Sequence, residues 1–176
     1  MQGLSLERFP KDWMKVASMP TKSKLPFLGH YPGLIDDKGR ISIPADYRHA
    51  LPEDSSGTIV LTPGSDAFMN VFPLDLFNGV WQQADSDSLG FASDDSLARD
   101  TALLSEAVYR EIDSQGRITV PQSLLKQAGI GREVVFMGRW NHFVIWDAQA
   151  FEVYRTSHKL TVGEAWKTLL DKRQKA

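Results

Sequence analysis

Two short stretches of the chain alternate polar and apolar β-branched residues: "RISI" (Arg40 to Ile43) and "RITV" (Arg117 to Val120). Period-two alternation predicts a half-buried strand at each. Each is preceded by a short β-rich entry, "YPGLI" and "AVYREI", and by turn chemistry, "DKG" and "SQG". An Asp bonds the backbone ahead of it and a Gly takes positive φ, so each pair of stretches reads as a hairpin. Pro44 and Pro121 suit the first position of a helix. The helices are expected over "PADYRHAL", which stops before Pro52, and over "PQSLLKQA", which stops at Gly129 as a C-cap. Two further strands follow each helix, Thr58 to Leu61 with Phe68 to Phe72, and Glu133 to Met137 with Phe143 to Trp146.

The pattern is therefore written twice. Asp36, Gly39, Arg40 and Pro44 recur as Asp113, Gly116, Arg117 and Pro121 at a constant offset of 77 residues. Internal repetition of this kind sets the architecture. The division is an extension at residues 1–26, repeat one at 27–77, a helical connector at 78–102, repeat two at 103–151 and a basic C-terminal helix or tail at 152–176. In the connector, "LDLFNGVWQQA" carries apolar residues at near-helical spacing. The stretch "SDDSLARDTALLSEA" opens on Ser93 as an N-cap. Alone, a unit of about 50 residues buries little surface and is marginal. Two copies pairing about a pseudo-twofold axis share one core, which is a physical reason for the duplication.

Composition changes this picture little. Of the 176 residues 42% are hydrophobic and 24% charged, ordinary for a globular chain. No apolar run reaches the roughly 18 residues of a membrane helix, and the N-terminus does not read as a secretory signal. The absence of cysteine removes disulfides and thiolate metal sites and fits a cytoplasmic protein. Charge is more informative by position than by its net value of −2. Residues 1–26 hold five cations against two acids, residues 155–176 six against two, and residues 75–100 six acids against one Arg. Solvated tails around a solvated linker account for this, and so does a sign-segregated surface that orients a polyanion.

The chemistry concentrates in the two turns. Asp36 with Arg40, and Asp113 with Arg117, place an acid and a guanidinium four residues apart across a tight turn. One reading is a local pin, worth about 0–1 kcal/mol at a surface. The other is a tip that presents Arg beside Gly39 or Gly116, where a phosphate or a guanine edge approaches. Lys38 adds a cation at the first tip and Gln115 is its neutral counterpart, so Arg40 is expected to bind a polyanion more strongly than Arg117.

These residues carry a resemblance. "FLGHYPGLIDDKGRISIPADYR" and "EIDSQGRITVPQSLLKQAGIGREVVFMGRWNHFVIWDAQAFE" together resemble the MraZ family of bacterial transcriptional regulators. That family holds two units of the swapped-hairpin type found in AbrB and SpoVT proteins. The resemblance spans about Phe27 to Phe151. It implies an α+β fold in which two pseudo-symmetric swapped-hairpin units form a small shared β-barrel core. It also implies a ring-like homo-oligomer that binds double-stranded DNA at direct repeats upstream of the division and cell-wall gene cluster, its own operon. By matching position, Asp36 and Arg40, and Asp113 and Arg117, inherit the DNA-binding role, in the cytoplasm at the nucleoid; Lys38, Gly39, Gln115 and Gly116 join the expected DNA-binding set from their places at the two tips. The first 26 residues precede the usual start of the family and are expected to be a flexible extension.

Other constellations are poorer. His30, His49, His142 and His158 lack metal-ligand spacing. "GIGREVVFMG" lacks the G-K-[ST] of a phosphate loop. No cofactor, metal, catalytic triad, membrane or small-molecule substrate is implied, so an enzyme is not expected. Trp146 is expected in the core, while Trp140 suits a subunit contact. "EAWKTLLDKRQKA" reads as a basic amphipathic helix that docks on its own ring rather than on a membrane. The alternative function is a protein-interaction module of antitoxin type.

Overall fold

A computed structural model describes residues 25–52, 57–64, 67–85, 94–159 and 161–174. Nearly all of the 1–26 extension, and Ser93 with its expected cap, lie outside them. The first half contains β1 (His30–Leu34), β2 (Arg40–Ser42), α1 (Ala45–Ala50), β3 (Thr58–Pro63) and β4 (Phe68–Pro73). Two helices follow, α2 (Leu74–Asp85) and α3 (Asp94–Leu104). The second half contains β5 (Val108–Glu111), β6 (Arg117–Thr119), α4 (Gln122–Gln127), β7 (Glu133–Gly138) and β8 (Phe143–Asp147). Two more helices end the chain, α5 (Ala148–Ser157) and α6 (Val162–Gln174).

The fold is α+β with antiparallel strand pairing throughout. Six strands form one sheet in the order β1-β7-β8-β4-β3-β5, and β2 pairs with β6 in a separate ribbon. The hairpins β3–β4 and β7–β8 are formed by the two strands expected after each short helix. The hairpins expected of β1 with β2 and of β5 with β6 do not form. Their turns close, the Asp36 and Asp113 amides donating to the Arg40 and Arg117 carbonyls. The first strands instead pair across the halves, β1 with β7 and β5 with β3, because β2 and β6 take each other as partners.

The expected closed barrel does not form. The sheet stays open, with β1 and β5 as its edges. Closure would require those edges to find partners, but β2 and β6 are three residues long and spend their ladder on each other. Pro32 within β1 suits such an edge, because it has no N–H to donate.

One core nonetheless serves both halves. Ile41, Tyr47, Ile59, Leu61, Phe136 and Phe143 lie in one buried cluster with Ile118, Leu124 and Leu125. Tyr47 is its hub, within ring contact of Phe27, Tyr31, Phe136 and Phe143. Its hydroxyl donates to the Gly29 carbonyl at 2.9 Å, and burial pushes its pKa well up. The opposite face of the sheet is covered by α2 over β3 and β4, and by α5 over β7 and β8. Trp146 is buried there with Val144 and Phe151, as expected.

Two local details differ from expectation. Pro44 and Pro121 stand one residue before their helices, at the N-cap. Their φ values of −50° and −59° suit a helix, but ψ of 141° and 139° is extended. The reason is that each ends a ribbon strand while its carbonyl already accepts the first helical N–H, from Arg48 and Leu125. Helix α5 was not expected as a separate element. Asp147 starts it, with Oδ1 accepting from the Gln149 and Ala150 amides. At the end of α4, Gly129 has φ of +63°, as a C-cap requires.

Candidate nucleic-acid interface

The two turns are built alike. Asp36 Oδ1 accepts from the amides of Lys38 and Arg40, each at 2.9 Å. Asp36 Oδ2 takes the Arg40 guanidinium through Nε and Nη2, each at 2.8 Å. In the second turn Asp113 Oδ1 accepts from Gln115 and Arg117 amides at 2.9 Å. Its Oδ2 takes Arg117 Nε at 2.9 Å and Nη2 at 2.8 Å. The Arg amides first, assisted by the guanidinium groups, hold both aspartate carboxyls below the ordinary carboxylate range. The local pin is thus present at both tips. It employs two of the five guanidinium N–H groups, so each Arg keeps donors for a further acceptor.

Positive φ at Gly39 (+77°) and Gly116 (+76°) closes the turns. A Cβ on Gly39 would stand 2.6 Å from the Val120 carbonyl oxygen, a backbone atom that cannot give way. The same atom on Gly116 would meet the end of the Arg48 side chain instead, 2.6 Å from Nη1.

The ribbon brings the two tips together. Arg40 faces Thr119, Ile41 faces Ile118 and Ser42 faces Arg117. Alternation sends Ile41 and Ile118 into the core and Arg40, Ser42, Arg117 and Thr119 to the outer face. The two Arg are diagonal neighbours across a ladder, a relation that sets Cα atoms about 7–8 Å apart. Their side chains are 37% and 31% exposed, which leaves them reachable but held. Lys38 and Gln115 are exposed at the tips.

Two cations that the repeat reading passed over also belong to this region. Arg48, exposed on α1, lies over Gly116, so a helix of the first half flanks the tip of the second. Arg110 on β5 donates from Nε to the Thr119 carbonyl at 2.7 Å. Neither residue recurs at the offset of 77, where Leu125 and Gly33 stand, so repetition held no signal for them. Beside the first tip, a cleft of about 340 Å³ is lined by Asp36, Asp37, Gln122, Lys126 and Arg132, among others. There Arg132 pairs with Asp37 at 3.3 Å. The contrast of Lys38 with Gln115 is therefore not the whole charge difference between the tips.

Among the described residues, no helix is long and apolar enough to cross a membrane.

Comparison with known proteins gives one consistent result. A family model described as "MraZ protein, putative antitoxin-like" matches residues 27–100 and 103–173. A protein of Roseiflexus castenholzii named "Transcriptional regulator MraZ" is 38% identical over 128 residues, covering 72% of this chain and 84% of its own. One of the same name from Kocuria rhizophila is 38% identical over 140 residues, covering 78% and 92%. Another from Mycolicibacterium smegmatis is 32% identical over 133 residues, covering 76% and 89%.

Proposed function

The chain belongs to the MraZ family of transcriptional regulators, and on that premise we propose that it binds double-stranded DNA sequence-specifically through the outer face of the β2–β6 ribbon. The observation that carries this reading is the placement of Arg40 and Arg117 on one exposed face, each braced by its own aspartate. Asp36 and Asp113 are positioning residues, since their oxygens are occupied and a carboxylate repels phosphate. Arg40 and Arg117 touch DNA, Lys38 and Gln115 flank them, and Gly39 and Gly116 let the backbone come close. A preset guanidinium loses little rotamer freedom on binding and suits phosphate or guanine edges.

The cross-pairing of β1 with β7 and of β5 with β3 supports a swapped-hairpin arrangement about a pseudo-twofold axis. Such an axis relates the two tips and makes them two copies of one reader. The targets are direct repeats upstream of the protein's own operon, in the division and cell-wall gene cluster. A ring of identical chains turns weak single contacts into tight binding by effective concentration. The protein acts in the cytoplasm at the nucleoid.

A mobility-shift titration on that upstream DNA is the test. Arg40→Ala and Arg117→Ala should each lower affinity by about 1–3 kcal/mol per chain where a base edge is read. Each should also lower the slope of log affinity on log salt by about one per lost phosphate contact. Arg40→Ala is expected to be the larger. Wild-type affinity in both variants at moderate salt would remove the ribbon from the interface. The family's antitoxin-like description favours a second reading, a protein-interaction module. That reading expects a stoichiometric partner on purification and no shift of DNA.

A further inference from the structure

Each tip is overlain by a side chain from a helix of the other half. Gln122 of α4 stands over Gly39, where a Cβ would be 3.5 Å from its Nε2. Arg48 of α1 stands over Gly116, where a Cβ would be 2.6 Å from its Nη1. The tips also differ in their own residues, Lys38 in the first turn and Gln115 in the second. Cation and neutral amide are thus exchanged between two positions. The first tip has its cation in the turn and an amide above it. The second has an amide in the turn and a guanidinium above it.

The clefts beside the tips differ in the same sense. The first, of about 340 Å³, is walled by the turn at Asp36 and Asp37 and by Gln122 and Lys126 of α4. The second, of about 430 Å³, is walled by the turn at Asp113 and Ser114 and by Arg48 and His49 of α1. In the first, Asp37 holds Arg132 at 3.3 Å. In the second, Ser114 stands at the repeat position of Asp37. The one acid in its described lining is Asp113, whose Oδ2 already takes Arg117. Among the described residues no carboxylate pairs with Arg48.

An exposed Arg with no acid partner, held over a glycine tip, offers its fork of donors to an oxygen anion. Ser114 adds a hydroxyl and His49 a ring N–H at the same cleft. Gly116 is the chain neighbour of Arg117, so a phosphate held here lies next to the base edge that Arg117 reads. We propose that this cleft seats a backbone phosphate of the DNA, with Arg48 as its principal contact. Arg48 then does for the second tip what Lys38 does for the first, and the cation comes from the other half's helix instead of from the turn. This rests on the DNA-binding reading above. It narrows the difference between the tips that Lys38 and Gln115 alone would set.

The test is a mobility-shift titration at several salt concentrations, on the upstream DNA and on an unrelated duplex of equal length. Arg48→Met keeps the aliphatic stem and removes the charge. It should lower the slope of log affinity on log salt by about one for each chain engaged. Its deficit should therefore shrink roughly three- to fourfold per engaged chain between about 50 and 200 mM salt. The loss should be equal on both duplexes, because a phosphate carries no sequence. Gln115→Lys in the same chain should restore affinity and slope by returning a cation to that tip, which a repair of packing would not do. Arg48→Met with the affinity and slope of wild type overturns the proposal. So does a loss that Gln115→Lys leaves unrepaired, or one confined to the upstream DNA. The thermal midpoint of Arg48→Met should stay within about 2 °C of wild type. If it falls further, Ser114→Asp decides: this exposed change sets an acid beside Arg48 and should weaken binding to both duplexes, and unchanged binding overturns the seat. Should Arg40→Ala and Arg117→Ala weaken binding while Arg48→Met does not, the cleft is wrong and the ribbon stands. Should none of the three weaken it, both readings fall.

Discussion

His142 shows how far a single side chain departs from its ordinary behaviour. It lies in the β7–β8 turn, stacked on Phe72 with ring centroids 4.8 Å apart. Burial first, then the nearby Arg139 cation, lower its pKa to about 4. The folded protein thus keeps the imidazole neutral where the unfolded chain, at about 6.5, takes up a proton. Stability is complete above pH 6.5 and falls as pH drops from there towards 4. Because the ring is only part-buried, the loss from this group by pH 5 is set at about 1 kcal/mol. Urea midpoints at pH 7 and pH 5 should separate less in His142→Gln than in wild type. Equal separation in both would assign the acid sensitivity elsewhere. Asp36 and Asp113 act in the same direction at lower pH, since their depressed pKa values add stability that is lost as they protonate.

Turns and caps decide the elements. Gly39 and Gly116 share a positive φ, so alanine at either carries the left-handed cost of roughly 1–2 kcal/mol. Their surroundings differ, and so should the outcome. Gly39→Ala also drives a Cβ into the Val120 carbonyl, whose amide is bonded to Gly39 itself. Gly116→Ala needs only the Arg48 side chain to swing aside. Chemical denaturation should therefore show Gly39→Ala as the more damaging, by more than 1 kcal/mol; equal losses would refute the steric account. Asp147 is a third such point. It caps α5 and its Oδ2 also accepts from the Gly131 amide at 3.1 Å. Asp147→Ala should cost about 1–2 kcal/mol and loosen Phe151 over Trp146, a change that near-ultraviolet circular dichroism would register.

At the scale of the whole molecule, the halves have no separate cores. Ile41 and Ile118 face each other across the ribbon and are each 1% exposed. Ile41→Ala and Ile118→Ala should each cost about 2–5 kcal/mol. The double variant should lose a different amount from the sum, because the two side chains share one site. Unfolding should remain a single transition, followed equally by strand and helix signals. Two separated transitions would mean that the halves fold independently.

Much of this was legible from the chain. Alternation in "RISI" and "RITV", the glycine turns and the constant offset located β2, β6, both tight turns and both Asp–Arg pairs, because these depend on contacts within about ten residues. The β7–β8 hairpin, the C-cap at Gly129 and the burial of Trp146 have the same local origin. Arg48 and Arg110 were hidden because they reach the tips only through packing and pairing between the halves, and neither recurs at the offset. The open sheet is likewise a tertiary outcome. Nothing in β2 or β6 alone states that three residues will pair with each other and leave the edges of β1 and β5 free. Local chemistry determined what each segment is; which segments meet was decided by the one core that the two halves bury together.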